Sequence, residues 1–97
     1  MLTSKQRAYL KSLAANESAI IQVGKGGITD NLIKTVSDAL EARELIKITV
    51  LETAGQSPRD IQNKLCEATG ADGVLVVGRK IVLYRESVDN KQIQLPR

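Results

Sequence analysis

Apolar residues recur along the chain with two spacings, one of about 3.6 residues and one of about 2. Helical spacing predicts three helices, over residues 2–15, from a cap at 29 to about 43, and from a cap at 57 to 70. Short β-branched apolar runs predict four strands, over residues 19–23, 45–52, 73–77 and 81–85. The order α-β-α-β-α-β-β predicts a small two-layer α/β domain with a four-stranded mixed sheet, because the strand–helix–strand units favour parallel pairing and the final hairpin adds an antiparallel pair.

Three local features add detail to this architecture. The segment "GVLVV", Gly73–Val77, is apolar on both faces, which predicts a central place in the sheet. "SPRD", Ser57–Asp60, has the form of a capping box with proline at the first helical position. Residues 1–97 are expected to form one domain, in which the mostly polar residues 86–97 are an extended tail.

Composition excludes several classes of protein. The chain has no histidine, the usual general acid–base group and metal ligand, and its carboxylates show no metal-ligand spacing. Asp38, Glu41 and Glu44 are predicted to form a solvated acidic edge. We therefore expect no enzyme activity, no metal, no cofactor and no small-molecule substrate. The single cysteine, the lack of a signal-peptide pattern and the absence of an apolar run of about 20 residues favour a cytoplasmic protein without membrane contact.

The segment "VGKGGIT", Val23–Thr29, concentrates three glycines and a lysine where a strand should pass into a helix. It matches neither the Walker A loop nor the dinucleotide-binding fingerprint. It does contain G-x-x-G, which in KH domains clamps the backbone of single-stranded nucleic acid. The candidate RNA-binding residues are Gly24, Lys25, Gly26 and Gly27. A tight turn carrying a solvated lysine accounts equally well for the residues alone.

Other basic residues could extend such a surface. Lys34 lies about one turn into the following helix, within reach of a phosphate held at the loop. Further candidates are Lys5, Arg7 and Lys11 on the first helix, and Arg79 and Lys80 in the predicted hairpin turn. Lys47 should face away from the apolar residues of its strand. A solvated surface explains each of these residues individually, since a net charge of +3 is a mild excess.

Three blocks, "GKGGIT", "ELIKITVL" and "GRKIVLYR", occur in this order and together resemble the CRM domain, and most closely the bacterial single-domain YhbY-type proteins. The resemblance implies an RNA-binding fold similar to the C-terminal domain of translation initiation factor 3. It also implies that the G-x-x-G loop contacts RNA, and that bacterial members associate with precursors of the large ribosomal subunit. Leu75 departs from the family, whose members often have glutamine there.

The sequence thus predicts a non-catalytic RNA-binding protein, with ribosomal RNA of large-subunit precursors as its partner. The alternative is a protein-interaction adaptor that docks on a ribosomal protein or an assembly factor through its sheet or its tail.

Overall fold

The computed structural model describes residues 2–97, and the predicted order of helices and strands is confirmed. The elements are α1 (Ser4–Ala14), β1 (Ala19–Val23), α2 (Asp30–Arg43), β2 (Leu45–Val50), a 3₁₀ turn (Glu52–Ala54), α3 (Pro58–Thr69), β3 (Asp72–Val77) and β4 (Lys80–Tyr84). No helix within this part of the chain is both long and apolar enough to cross a membrane.

Side-chain caps start the three helices. Thr3 Oγ1 accepts the N–H of Gln6, whose side chain accepts the N–H of Thr3 in return. Ser57 Oγ accepts the N–H of Asp60 at 3.1 Å. The cap at Ser57 has no such return bond. The side chain of aspartate is one methylene shorter than that of glutamate, so the predicted capping box forms only by half.

The mixed four-stranded sheet is confirmed, with the strand order β1-β2-β4-β3. β1 runs parallel to β2, and the other two pairs are antiparallel. The predicted central place of β3 is wrong: β3 is an edge strand, and β4 occupies the place beside β2. β3 is apolar on both faces because α3 covers one face and α1 covers the other.

Helices thus lie on both faces of the sheet, and α1 adds a layer that the two-layer description lacked. On the α2–α3 side the core comprises Val23, Val36, Leu40, Ile46, Ile48, Val50, Ala54, Ile61, Leu65, Ala71, Ile81 and Leu83. On the α1 side it comprises Leu10, Ala14, Leu45, Val74, Val82 and Tyr84. Alternate residues of β2 and β4 therefore enter opposite cores, as period-2 alternation in a doubly covered sheet requires.

β3 is irregular at the place where a side chain of α3 binds to it. The register of the β3–β4 pair shifts between Gly73 and Leu75. The amide of Gln62, a buried side chain on α3, donates to the carbonyls of Leu75 and Val82 at 3.0 and 3.1 Å. A Cβ at Gly73 would lie 2.8 Å from Gln62 Cδ and Oε1, so the glycine makes room for the glutamine.

Residues 86–97 form neither helix nor strand, yet they bind firmly to the rest of the molecule. Ser87 is buried, and its Oγ donates to Glu41 Oε2 at 2.6 Å. Ile93 and Leu95 contact the core on the α1 side. Glu44 is completely buried beneath this segment, so the predicted solvated acidic edge is wrong at that residue.

Candidate nucleic-acid interface

The loop between β1 and α2 contains one tight turn. The N–H of Gly27 donates to the carbonyl of Gly24 at 2.9 Å, which places Lys25 and Gly26 at the two central positions. Gly26 has φ 99°, a positive value as the second central position of a type II turn requires. Lys25 is exposed at the tip. The loop therefore presents bare backbone beside one free-standing cation.

The three glycines have different local environments. Gly26 and Gly27 both have positive φ, which favours glycine whatever the space around it. Gly24 does not have positive φ, and a Cβ there would lie 3.4 Å from Leu51 Cδ1 and 3.6 Å from Thr53 Oγ1. Both are ordinary contact distances. The fold therefore explains two of the glycines and leaves room for a methyl group at the third.

The N-terminus of α2 is a weaker anion-binding site than an uncapped helix N-terminus. Thr29 Oγ1 accepts the N–H of Leu32 at 3.1 Å, so one of the unpaired amides is already satisfied. Asp30 adds a carboxylate in the first turn, where it complements the helix dipole. At this loop, the groups that remain available to an anion are therefore exposed Lys25 and amides of the glycine turn.

Two further connections lie at the same end of the sheet as the loop, where β1 and β2 finish and β4 begins. The N–H of Leu51 donates to the carbonyl of Val23 at 2.8 Å, which places the segment after β2 beside the glycines. The hairpin turn between β3 and β4 is held by Val50: its N–H donates to the carbonyl of Arg79, and Arg79 Nε donates to its carbonyl at 2.8 Å. The structure thus brings Arg79 to the same end of the sheet as the glycine loop.

A separate group of basic residues lies on the α1 side of the sheet. Three of them surround a half-open groove of about 200 Å³, which we call the lysine groove. The lysine groove has Lys11, Lys47 and Lys80 around a floor that includes Leu75, Val77 and Val82. Lys80 Nζ donates to Thr49 Oγ1 at 3.1 Å.

Two of the three remaining candidates have partners elsewhere in the protein. Lys34 Nζ lies 2.9 Å from Asp38 Oδ2, and the hydrogen bond and charge of that carboxylate raise the pKa of Lys34. Arg7 donates to the carbonyl of Gly73 at the outer edge of β3. Lys5 is exposed on α1. The assignment of these three residues to an RNA surface stays a prediction.

Lys47 was not among the predicted binding residues. Its alternation with Ile46 and Ile48 correctly indicated that it faces away from the core of the α2–α3 side. The sequence carries no signal that α1 leaves part of the opposite face open, and this opening is what exposes Lys47 beside Lys11 and Lys80.

Comparison with known proteins gives a consistent result over nearly the whole chain. The CRS1/YhbY (CRM) domain family matches residues 2–85. "Probable RNA-binding protein YqeI" of Bacillus subtilis is 48% identical over 96 residues, which cover 99% of this chain and all of the relative. A Haemophilus influenzae protein named "RNA-binding protein" is 35% identical, with 99% of this chain and 96% of the relative covered.

A solved structure extends the similarity to three dimensions. The solution structure of SAV1595 from Staphylococcus aureus superposes with a TM-score of 0.79 at 48% sequence identity, over 99% of this chain and all of that one. The expected resemblance is therefore confirmed by sequence and by fold, and the chain belongs to the CRS1/YhbY (CRM) domain family.

Proposed function

We propose that the chain is a non-catalytic, cytoplasmic RNA-binding protein, and that it binds ribosomal RNA of large-subunit precursors through residues Gly24–Gly27. The names of the Bacillus subtilis and Haemophilus influenzae relatives support RNA as the ligand. The resemblance of the three sequence blocks to the YhbY-type proteins supports the large subunit as the source of that RNA. Residues 1–97 are proposed to act as one domain.

The observation that carries the loop assignment is the environment of Gly24. Neither its backbone conformation nor its neighbours require glycine, because a methyl group would meet Leu51 and Thr53 only at ordinary contact distances. A ligand that approaches the backbone closely supplies the missing reason. Exposed Lys25 next to it suits a negatively charged ligand, and the sugar–phosphate backbone of RNA is such a ligand.

In this mechanism the loop binds phosphate groups and makes no base-specific contacts. Lys25 and unpaired amides of the turn contact phosphate oxygens, and Arg79 adds a second cation at the same end of the sheet. Contacts of this kind release condensed counterions, so affinity should fall steeply as salt rises. Selection of a particular RNA then depends on its shape, because single-stranded segments enter the loop more readily than a closed duplex.

Sedimentation of cell lysates with the variant Gly26→Asp tests the proposal. Gly70→Asp is the matched control, because Gly26 and Gly70 both have positive φ and neither would bring a Cβ within 4 Å of another atom. Gly70 caps the C-terminus of α3, whereas the 3₁₀ turn beside the loop precedes the N-terminus of that helix. Both variants therefore strain the backbone in the same way, while only one adds bulk and negative charge at the loop.

We expect the parent protein and Gly70→Asp to sediment with large-subunit precursors, and nuclease to release both. Gly26→Asp should remain at the top of the gradient. If Gly26→Asp sediments like the parent, the loop does not bind the RNA. If nuclease fails to release the parent protein, the particle holds it through protein contacts, and the adaptor function is correct instead.

A further inference from the structure

We propose that the lysine groove is a second RNA-binding site, which seats one unpaired nucleotide of the strand held at the glycine loop; this inference rests on the proposed function. The groove lies on the face of the sheet that α1 covers only in part. Lys11, Lys47 and Lys80 reach it from α1, β2 and β4. Three separate elements therefore each contribute a lysine to the wall of one groove.

The charge of the groove is not compensated within the protein. None of its lining residues is acidic. The ion pairs formed among residues 2–97, Lys34–Asp38 and Lys91–Glu86, include none of the three groove lysines. Lys80 Nζ donates one hydrogen bond to Thr49 Oγ1, and its two other N–H groups can donate to a ligand. An anionic ligand supplies the missing countercharge.

The floor and the size of the groove restrict the kind of anion. Leu75, Val77 and Val82 offer aliphatic surface, which a simple phosphate or sulfate ion would not cover. The volume of about 200 Å³ is below the roughly 300–1,000 Å³ of pockets that enclose larger ligands. A nucleotide combines a phosphate for the lysines with a flat apolar face for the floor. The floor has no aromatic ring, so the base gains van der Waals contact without a stacking partner and without selection among bases.

The position of the groove favours RNA over an acidic peptide. Gln22 pairs with Thr49, and Thr49 pairs with Lys80, so one row of residues crosses the sheet from the strand end beside Gly24 to the groove. Two strand spacings make this distance about 10 Å. The row contains no carboxylate. One strand of RNA can therefore occupy the loop and the groove together.

The salt dependence of RNA binding tests the number of lysine contacts. The variant Lys47→Gln/Lys80→Gln removes two groove cations, and Lys91→Gln/Arg97→Gln removes two exposed cations of the C-terminal segment as a matched control. For a single-stranded RNA ligand the groove variant should have a salt slope smaller by about 0.7, the contribution of the one phosphate that the groove lysines bind. Over a fourfold rise in salt, the parent protein then loses about 2.6-fold more affinity than the groove variant. A control variant that changes the slope as much as the groove variant overturns the inference.

Methyl NMR spectra of the full chain test the place of the nucleotide. A uridine oligonucleotide should shift the methyl signals of Leu75, Val77 and Val82, and tripolyphosphate, which has no base, should leave them in place. RNA that shifts the loop amides but not these methyl groups overturns the groove and leaves the proposed function intact. RNA that shifts neither set overturns both. A glutamate oligopeptide that shifts the methyl groups when RNA does not identifies the groove as a protein-docking site and overturns the inference.

Discussion

The carboxylate of Glu44 accepts the backbone N–H of Ile93 at 2.7 Å, although three strands, the 3₁₀ turn and α3 separate the two residues in the sequence. The same oxygen accepts the N–H of Gln92 at 2.7 Å, and the second oxygen accepts that of Ser87 at 2.8 Å. Glu44 has φ 67°, an unfavourable value for a residue with a side chain. A glycine there would relieve the backbone and lose all three bonds. Glu44 therefore fixes both the end of α2 and the course of residues 87–93.

Glu44→Gln should lower the free energy of unfolding by about 2–3 kcal/mol, since hydrogen bonds to a charged group are lost and an amide N–H₂ is turned toward a backbone N–H. Urea denaturation measures the loss, and amide exchange should accelerate at Ser87, Gln92 and Ile93. Asp38→Asn is the control, because Asp38 pairs only with exposed Lys34 and its loss should cost below about 0.5 kcal/mol. Equal effects of the two variants would show that Glu44 does not anchor the C-terminal segment.

Glu44 also makes stability depend on pH. Burial alone raises the pKa of Glu44, but the N–H groups of Ser87, Gln92 and Ile93 outweigh it, so the pKa lies below its ordinary value of 4.5. A lowered pKa in the folded state gives stability that is complete above pH 4.5 and is lost as pH falls through the lowered value. Denaturation midpoints measured on acidification should therefore fall less for Glu44→Gln than for the parent. An equal fall in both proteins would assign the acid sensitivity to other groups.

Gly73→Ala should destabilise the protein by about 1–3 kcal/mol, because its methyl group would overlap the buried side chain of Gln62. Gln62→Ala should cost about 2 kcal/mol by itself, since it leaves the carbonyls of Leu75 and Val82 without their donor. In the double variant the overlap is gone, so Gly73→Ala should cost clearly less there than in the parent. Urea denaturation of all four proteins gives the coupling, and strictly additive losses would mean that Gln62 does not determine the glycine.

Gly24→Ala and Gly70→Ala should have opposite effects. Gly24→Ala should weaken binding to single-stranded RNA and leave the free energy of unfolding nearly unchanged, because only the ligand competes for the space of its methyl group. Gly70→Ala should cost about 1 kcal/mol of stability, since Gly70 has φ 77°, and should bind RNA normally. Fluorescence anisotropy and urea denaturation on both variants separate the two effects. If Gly24→Ala destabilised the protein as much as Gly70→Ala, the role of Gly24 would be purely structural.

Cys66 should be chemically inert in the folded protein. Burial, and secondly the negative charge of Asp72, raise the pKa of its thiol to about 11. Near pH 8 only about one molecule in a thousand then carries the reactive thiolate. Iodoacetamide should modify Cys66 about a hundredfold more slowly in the native protein than in urea. Comparable rates in both states would contradict the shielding.

Periodic apolar spacing predicts the elements well here because nearly every helix and strand has one face in a core. The place of β3 could not be predicted in the same way. Gly73–Val77 has the composition of a strand covered on both faces, and a central strand and a doubly covered edge strand satisfy that pattern equally. Only the packing of α1 against the second face distinguishes them, and that contact joins residues far apart in the sequence.

The candidate site also has a part that the sequence predicts and a part that it does not. The Gly24–Gly27 loop is visible in the sequence because its glycines and lysine are contiguous. The exposure of Lys47 in the lysine groove and the anchoring of residues 87–93 by Glu44 were missed for a common reason: each depends on a segment distant in the sequence. Lys47 depends on where α1 ends, and Glu44 depends on backbone N–H groups that carry no sequence signal.

Most partners of α1 in the core follow it late in the chain. Leu10 and Ala14 share their core with Leu45 of β2, but its other members, Val74, Val82 and Tyr84, lie in β3 and β4, and residues 93 and 95 pack against it. During synthesis, α1 leaves the ribosome with its apolar face uncovered, while β1, α2 and β2 can already associate with one another. The α1 side can therefore close completely only when β4 inserts beside β2. A nascent chain arrested before residue 80 would present this apolar face to chaperones, and completion of the final hairpin would withdraw it.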